Sequence, residues 1–429
     1  MKIQNPQFIK ELFMTTLPPI NYSPNISNTK LNPSMKNTHR IAFTGVDSVN
    51  IVNNAAKTET IPTKMLLSLL KSGLSGEKAD TKIFNGITYN DWVKMYNLSL
   101  KNAITPLVLD GIRKNENINV PNDVLENMER SEQFTKKYHS FQEKVLKDFT
   151  EFTNSKGVNT VQMKGIGLSM DYPEPQKRFG GDIDVYTFKK GTDFSDPKNC
   201  ASLFIDKEAK KIGNKVDLDH GPKHSIIKHK DMPIENHRNF LNVEVSPLHR
   251  KMNTYLLKHL NPQEKILPHG TKILVPSKEF NTVFISFHAM QHFVGSGINF
   301  HHLADWAVHV NKHGLKVPEE AKGTKFEEFM YALTNLTNKH LGTNVKVPEN
   351  KKLEDEIFNK IIDPNMTESK PQTKNIFKIF QYKCKNYVKH VNRQNEYWGE
   401  GTVSLGKSLM KSLIYKIKNP KTIKNLIKI

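Results

Sequence analysis

The 429-residue chain carries 63 Lys and Arg against 43 Asp and Glu, a formal net charge of +20, with 37% hydrophobic residues and two cysteines. No run of about 18 apolar residues occurs, which argues against a spanning helix, and Cys200 and Cys384 can build neither a disulfide framework nor a zinc spacing. The positive excess predicts polyanionic partners such as nucleic acid, nucleotide phosphates or an acidic lipid surface, although a lysine-rich composition alone would give the same number.

Residues 1–60 are rich in Asn, Ser, Thr and Pro without a sustained period, and read as a disordered leader. The start is too interrupted by polar residues and prolines for a signal peptide, and with two cysteines a reduced, cytoplasmic setting is expected. From residue 61 to 155 the period is helical: Leu66, Leu67, Leu69 and Leu70 open one face, and Phe141, Val145, Leu146, Phe149 and Phe152 recur at three- and four-residue spacing farther on. The period then shortens. GVNTVQM, DIDVYTF, KHSIIKHK and NFLNVEV read as four strands, with CASLFIDKEAKKIG as a helix between the second and third and HGTKILVPSKEFN as a connector. Helical spacing returns in FNTVFISFHAMQHFV, FHHLADWAVHVNKHG and KFEEFMYALTNLTNKHLG. The class is therefore α/β (α+β): a small mixed sheet flanked on both sides by mainly helical regions.

One stretch carries the chemistry. In VQMKGIGLSMDYPEPQKRFGGDIDVYTF, a strand runs into Lys164-Gly165 and a short helix. Backbone N–H groups at a helix start favour an anion, Gly165 lets a phosphate approach the backbone, and Lys164 adds a charge. Asp182 and Asp184 flank Ile183, and on a strand the two carboxylates share one face while Ile183 points to the core. Such a pair suits one or two Mg²⁺ ions. Gly180 and Gly181 leave space beside it, and Arg178 is placed to reach a terminal phosphate. Glu244, between Val243 and Val245, is expected as a third acid from a neighbouring strand, as metal ligand or as proton acceptor, with His249 nearby. Asp217-Leu218-Asp219 has the same spacing without a glycine turn before it and reads as a loop. His288 and His292, four apart on a helix, have metal-ligand spacing but no zinc-protease glutamate between them, and read as core; Asp305 reads as a polar contact tying the C-terminal helices to the cleft.

Lys164-Gly165, Tyr172-Pro173, Arg178 and Gly181-Asp182-Ile183-Asp184, followed by Glu244 and His249 and then by a helical segment with His288, His292 and Asp305, resemble the uncharacterised nucleotidyltransferase family of the DNA polymerase beta superfamily. Two departures are visible: Lys164-Gly165 replaces the superfamily's usual Gly-Ser or Gly-Gly, and Ser246 and Pro247 separate Glu244 from His249. The resemblance implies a nucleotidyltransferase core over residues 156–275, after a helical region over 61–155 and before a helical region over 276–429 with a basic tail. It implies Mg²⁺-dependent transfer of a nucleotidyl group from a nucleoside triphosphate to a hydroxyl, with Asp182, Asp184 and Glu244 as metal-binding and catalytic residues and Lys164, Gly165, Arg178 and Gly181 at the nucleotide. The acceptor (protein, RNA or small molecule) is left open. The alternative is a catalytically silent binding protein of the same fold, antitoxin-like or nucleic-acid binding. The tail over residues 406–429 has seven lysines and no acid and would suit an anionic surface.

Overall fold

The computed structural model describes residues 59–218, 223–295, 297–362, 385, 388–389 and 391–399. All but the last two residues of the expected leader, and the whole basic tail, lie outside them. Four helices come first: α1 (Ile61–Ser75), α2 (Tyr89–Lys101), α3 (Thr105–Arg113) and the 34-residue α4 (Asn122–Ser155). The starts are written in the sequence. Thr60 caps α1, and Thr88 with Asp91 forms a reciprocal capping box on α2.

Among the described residues the sheet has seven strands where the sequence pattern predicted four: β1 (Val158–Gln162), β2 (Ile183–Lys189), β3 (Lys215–Asp217), β4 (His224–His229), β5 (Met232–His237), β6 (Gln263–Ile266) and β7 (Lys272–Val275), in spatial order β3-β4-β5-β2-β1-β7-β6. β1 pairs antiparallel with β2, while β2 with β5 and β1 with β7 are parallel. Helix α5 (Lys164–Ser169) follows β1, and α6 (Ser202–Lys211) lies between β2 and β3.

Three expectations are corrected. The stretch read as a connector holds the β6–β7 hairpin. Asp217, read as part of a loop, ends β3. NFLNVEV is not a strand: Asn239–Val245 is irregular and turns directly into α7 (Pro247–Lys258), whose cap Ser246 accepts from the His249 backbone N–H. The missing strand is β5, joined to β4 by a two-residue turn at Lys230-Asp231, both with positive φ of 48° and 65°.

The sheet is covered on both faces. Val158, Ile183, Val185, Ile227, Ile234 and Ile273 form one core with Val145, Leu146 and Phe149 of α4 and Ile205 of α6. On the opposite face, Val161, Tyr186 and Phe188 join a second core with α7 and the C-terminal helices α8 (Lys278–Val294), α9 (Phe300–His313), α10 (Lys325–Leu341) and α11 (Lys351–Ile362). Tyr186 and Phe280 are bridged by Phe240, its ring centre 5.0 Å from each. No helix among the described residues is long and apolar enough to cross a membrane.

Candidate active site

β1 and β2 set the site between them. Beyond Gln162, paired with Val185, the Met163 N–H still bonds the Asp184 carbonyl at 2.9 Å. The chain then bends sharply: Lys164 and Gly165 have φ of +24° and +48°. A side chain at Gly165 would start 3.2 Å from the Asp182 carbonyl oxygen, so both the backbone conformation and the closeness of the next strand require glycine there. The facing Gly180-Gly181 turn is pinned from α4, by Gln142 Nε2 to the Gly180 carbonyl at 2.9 Å and Tyr138 OH to the Gly181 carbonyl at 2.7 Å.

Asp182 and Asp184 share the face of Tyr186, while Ile183 is fully buried in the α4 core. The third acid comes from β5. In the parallel β2–β5 register Asp184 lies opposite Glu235, and single carboxylate oxygens of Asp182, Asp184 and Glu235 lie within 4.8 Å of one another. Glu244 is elsewhere: it is exposed, in the turn before α7, its backbone N–H bonded to Asn242. His249 is also outside the acidic group. It is buried between Phe287 and Trp398, its pKa lowered to about 4 by burial.

The acids repel one another. Asp182 is pushed up to about 6, first by the charge of Asp184 and then by burial. Burial opposes the charge of Asp184 too, but the hydrogen bond from His237 and the nearby Lys164 hold its pKa below the ordinary carboxylate value. Glu235 is likewise penalised by burial yet lowered by His237. His237 is fully buried, and its Nε2 lies 3.1 Å from Asp184 Oδ1 and 3.4 Å from Glu235 Oε2; these contacts outweigh burial and raise its pKa. Three hard oxygen donors converging in a cluster where two acids cannot both ionise cheaply fit a divalent cation.

Arg178 does not face this space. Its side chain is 1% exposed and forked onto Asp305 of α9, Nε to Oδ1 at 2.7 Å and Nη2 to Oδ2 at 2.8 Å. Its third contact is Nη1 to the Gly165 carbonyl at 2.9 Å, and Tyr172 OH donates to the same Asp305 at 2.6 Å. An arginine already neutralised and out of solvent is a brace for the glycine turn rather than a phosphate ligand. Lys164 Nζ donates to His288 Nε2 at 2.8 Å, and His288, His292 and His302 converge beside it. Burial, with Lys164 and one another as neighbours, keeps these three imidazoles uncharged, His292 at about 4.

Glu235 and His237 escaped the sequence reading. Their signal, the alternation Ile234-Glu235-Asn236-His237, follows a hairpin turn without the usual Asn-Gly. Among known families, the one described as uncharacterised nucleotidyltransferase matches residues 88–342, more than half of the chain. No curated protein and no solved structure gives a match.

Proposed function

The chain belongs to the uncharacterised nucleotidyltransferase family, and from that membership together with the acidic group we propose that it transfers a nucleoside monophosphate from a nucleoside triphosphate to a hydroxyl acceptor, in the cytoplasm, with Mg²⁺. The observation that carries this reading is the placement of Glu235 opposite Asp184 in parallel register, with Asp182 beside them. Asp182, Asp184 and Glu235 would hold the ion or ions, which when bound neutralise charge on the phosphates and polarise the attacked phosphorus.

The chain's own residues do the rest. Lys164 and the Gly165 turn, facing Gly180 and Gly181 across the end of the sheet, offer backbone and a cation to the triphosphate. Arg178 and Asp305 keep that turn in shape. The acceptor oxygen attacks the α-phosphorus in line, the bond to the β-phosphate oxygen breaks, pyrophosphate leaves, and the hydroxyl proton passes to a carboxylate of the group. The acceptor class is a protein side chain, an RNA end or a small molecule.

The test is calorimetric titration of each of the four nucleoside triphosphates with Mg²⁺, at fixed salt because a +20 chain binds anions nonspecifically. Binding should require both Mg²⁺ and the aspartates, and be lost in Asp182→Asn/Asp184→Asn. Binding that ignores the aspartates would sink the enzyme reading and leave a basic binding protein on this fold.

A further inference from the structure

β5 presents two donors on the carboxylate face. Glu235 and His237 are two residues apart on one strand and so project to the same side. The imidazole of His237 has no exposed surface. Its Nδ1 lies 3.1 Å from the backbone carbonyl of Asn239, and because a carbonyl only accepts, Nδ1 carries a proton. That fixes the ring and leaves Nε2 as the nitrogen aimed at Asp184 and Glu235, 3.1 and 3.4 Å away.

Those spacings are those of hydrogen bonds while Nε2 carries a proton, and equally those of ligands sharing an ion that displaces that proton. Two donors at right angles, each about 2.1 Å from a cation, stand roughly 3.0 Å apart. An imidazole held through Nδ1 by a backbone carbonyl, with Nε2 directed at a carboxylate cluster, is also the arrangement by which proteins orient metal-bound histidines. His224, Glu235 and His237 also bring single donor atoms within 4.8 Å of one another, so Glu235 belongs both to this group and to that of Asp182 and Asp184; His224 Nε2 is 3.6 Å from Glu235 Oε2 and its ring 5.0 Å from that of His237.

Building on the nucleotidyltransferase reading above, we propose that His237 Nε2 is a nitrogen ligand of the ion held by Asp182, Asp184 and Glu235, making a mixed nitrogen-oxygen centre that favours Mn²⁺ over Mg²⁺. Imidazole suits transition metals, whereas Mg²⁺ takes oxygen ligands.

The experiment uses the full chain stripped of metal and loaded with Mn²⁺, followed by pulsed electron paramagnetic resonance. The wild type should show ¹⁴N modulation of the Mn²⁺ echo. His237→Asn, whose amide can still donate to the Asn239 carbonyl but has no donor at the Nε2 position, should lose that modulation; His224→Gln should keep it. By calorimetry, His237→Asn should weaken Mn²⁺ by roughly 10- to 100-fold, the scale of losses around metal ligands, with a smaller change for Mg²⁺. Mn²⁺ that binds through the aspartates of the wild type without nitrogen modulation overturns the proposal and leaves His237 a hydrogen-bonding counter-ion, a result that needs no variant to fold. Modulation that survives in His237→Asn overturns it as well. Mn²⁺ binding unchanged in Asp182→Asn/Asp184→Asn removes the metal centre itself, and this inference with it.

Discussion

Glu235 and Glu244 lie nine positions apart and should behave oppositely. Glu235 completes the acidic group, whereas Glu244 is exposed in a turn. Glu235→Gln is expected to weaken Mg²⁺ at least about tenfold, since even residues behind metal ligands cost that much; Glu244→Gln should leave the calorimetric isotherm unchanged. Equal losses in both would place the third acid at neither position alone. Asp182, Asp184 and the Lys164-Gly165 turn were legible in the sequence because period two and a glycine after a strand are local signals. Glu235 was not, because its strand is announced by a Lys-Asp turn: positive φ is costly for Lys230, though tolerated by Asp231, and the pair is not the Asn-Gly that usually marks such a turn. His288 and His292 were legible as a pair, but their companion His302 comes from the next helix, which no spacing rule anticipates.

At the scale of elements, the Arg178–Asp305 fork is one connection between the C-terminal helices and the glycine turn, beside that of Lys164 to His288. Asp305 was legible as such a tie, yet its partner, 127 residues earlier, could only be found in the fold. Burial opposes the charge on Asp305, but Arg178 holds its carboxyl well below the usual range. Asp305→Ala would strand a buried guanidinium and should destabilise by about 3–5 kcal/mol in urea unfolding. The same variant releases Arg178 from the Gly165 carbonyl's frame, so triphosphate binding should weaken even where the protein is kept folded at low temperature. A loss under 1 kcal/mol, about the worth of an exposed pair, would mean that the fork is dispensable. Four strands were anticipated and seven found because short, charged segments such as Gln263–Ile266 pair through backbone, which leaves little trace in side-chain pattern.

For the whole molecule, buried histidines set the response to acid. His139, His249 and His309 are each held down to about 4, by burial first in every case. In the unfolded chain they titrate near 6.5, so between about pH 6.5 and 4 the unfolded state binds more protons and stability falls as pH falls, by about 1.4 kcal/mol per pH unit for each such group. His237, held high, acts above that window: the stability it contributes is complete below about pH 6.5 and is lost only as pH rises through its raised pKa, so it does not offset this fall. Thermal melts from pH 7 to 5 should therefore show a falling midpoint; a flat profile would contradict buried, neutral imidazoles. The parallel pairing of β2 with β5 has a consequence in time as well as in space. Hairpins β4–β5 and β6–β7 close locally and quickly, but a parallel pair needs a long crossover, here through α6 and two further strands, and such non-local contacts form slowly. A chain that has made all its hairpins still lacks the acidic group, so the capacity to bind a cation should appear only after the local hairpins, when β5 docks on β2.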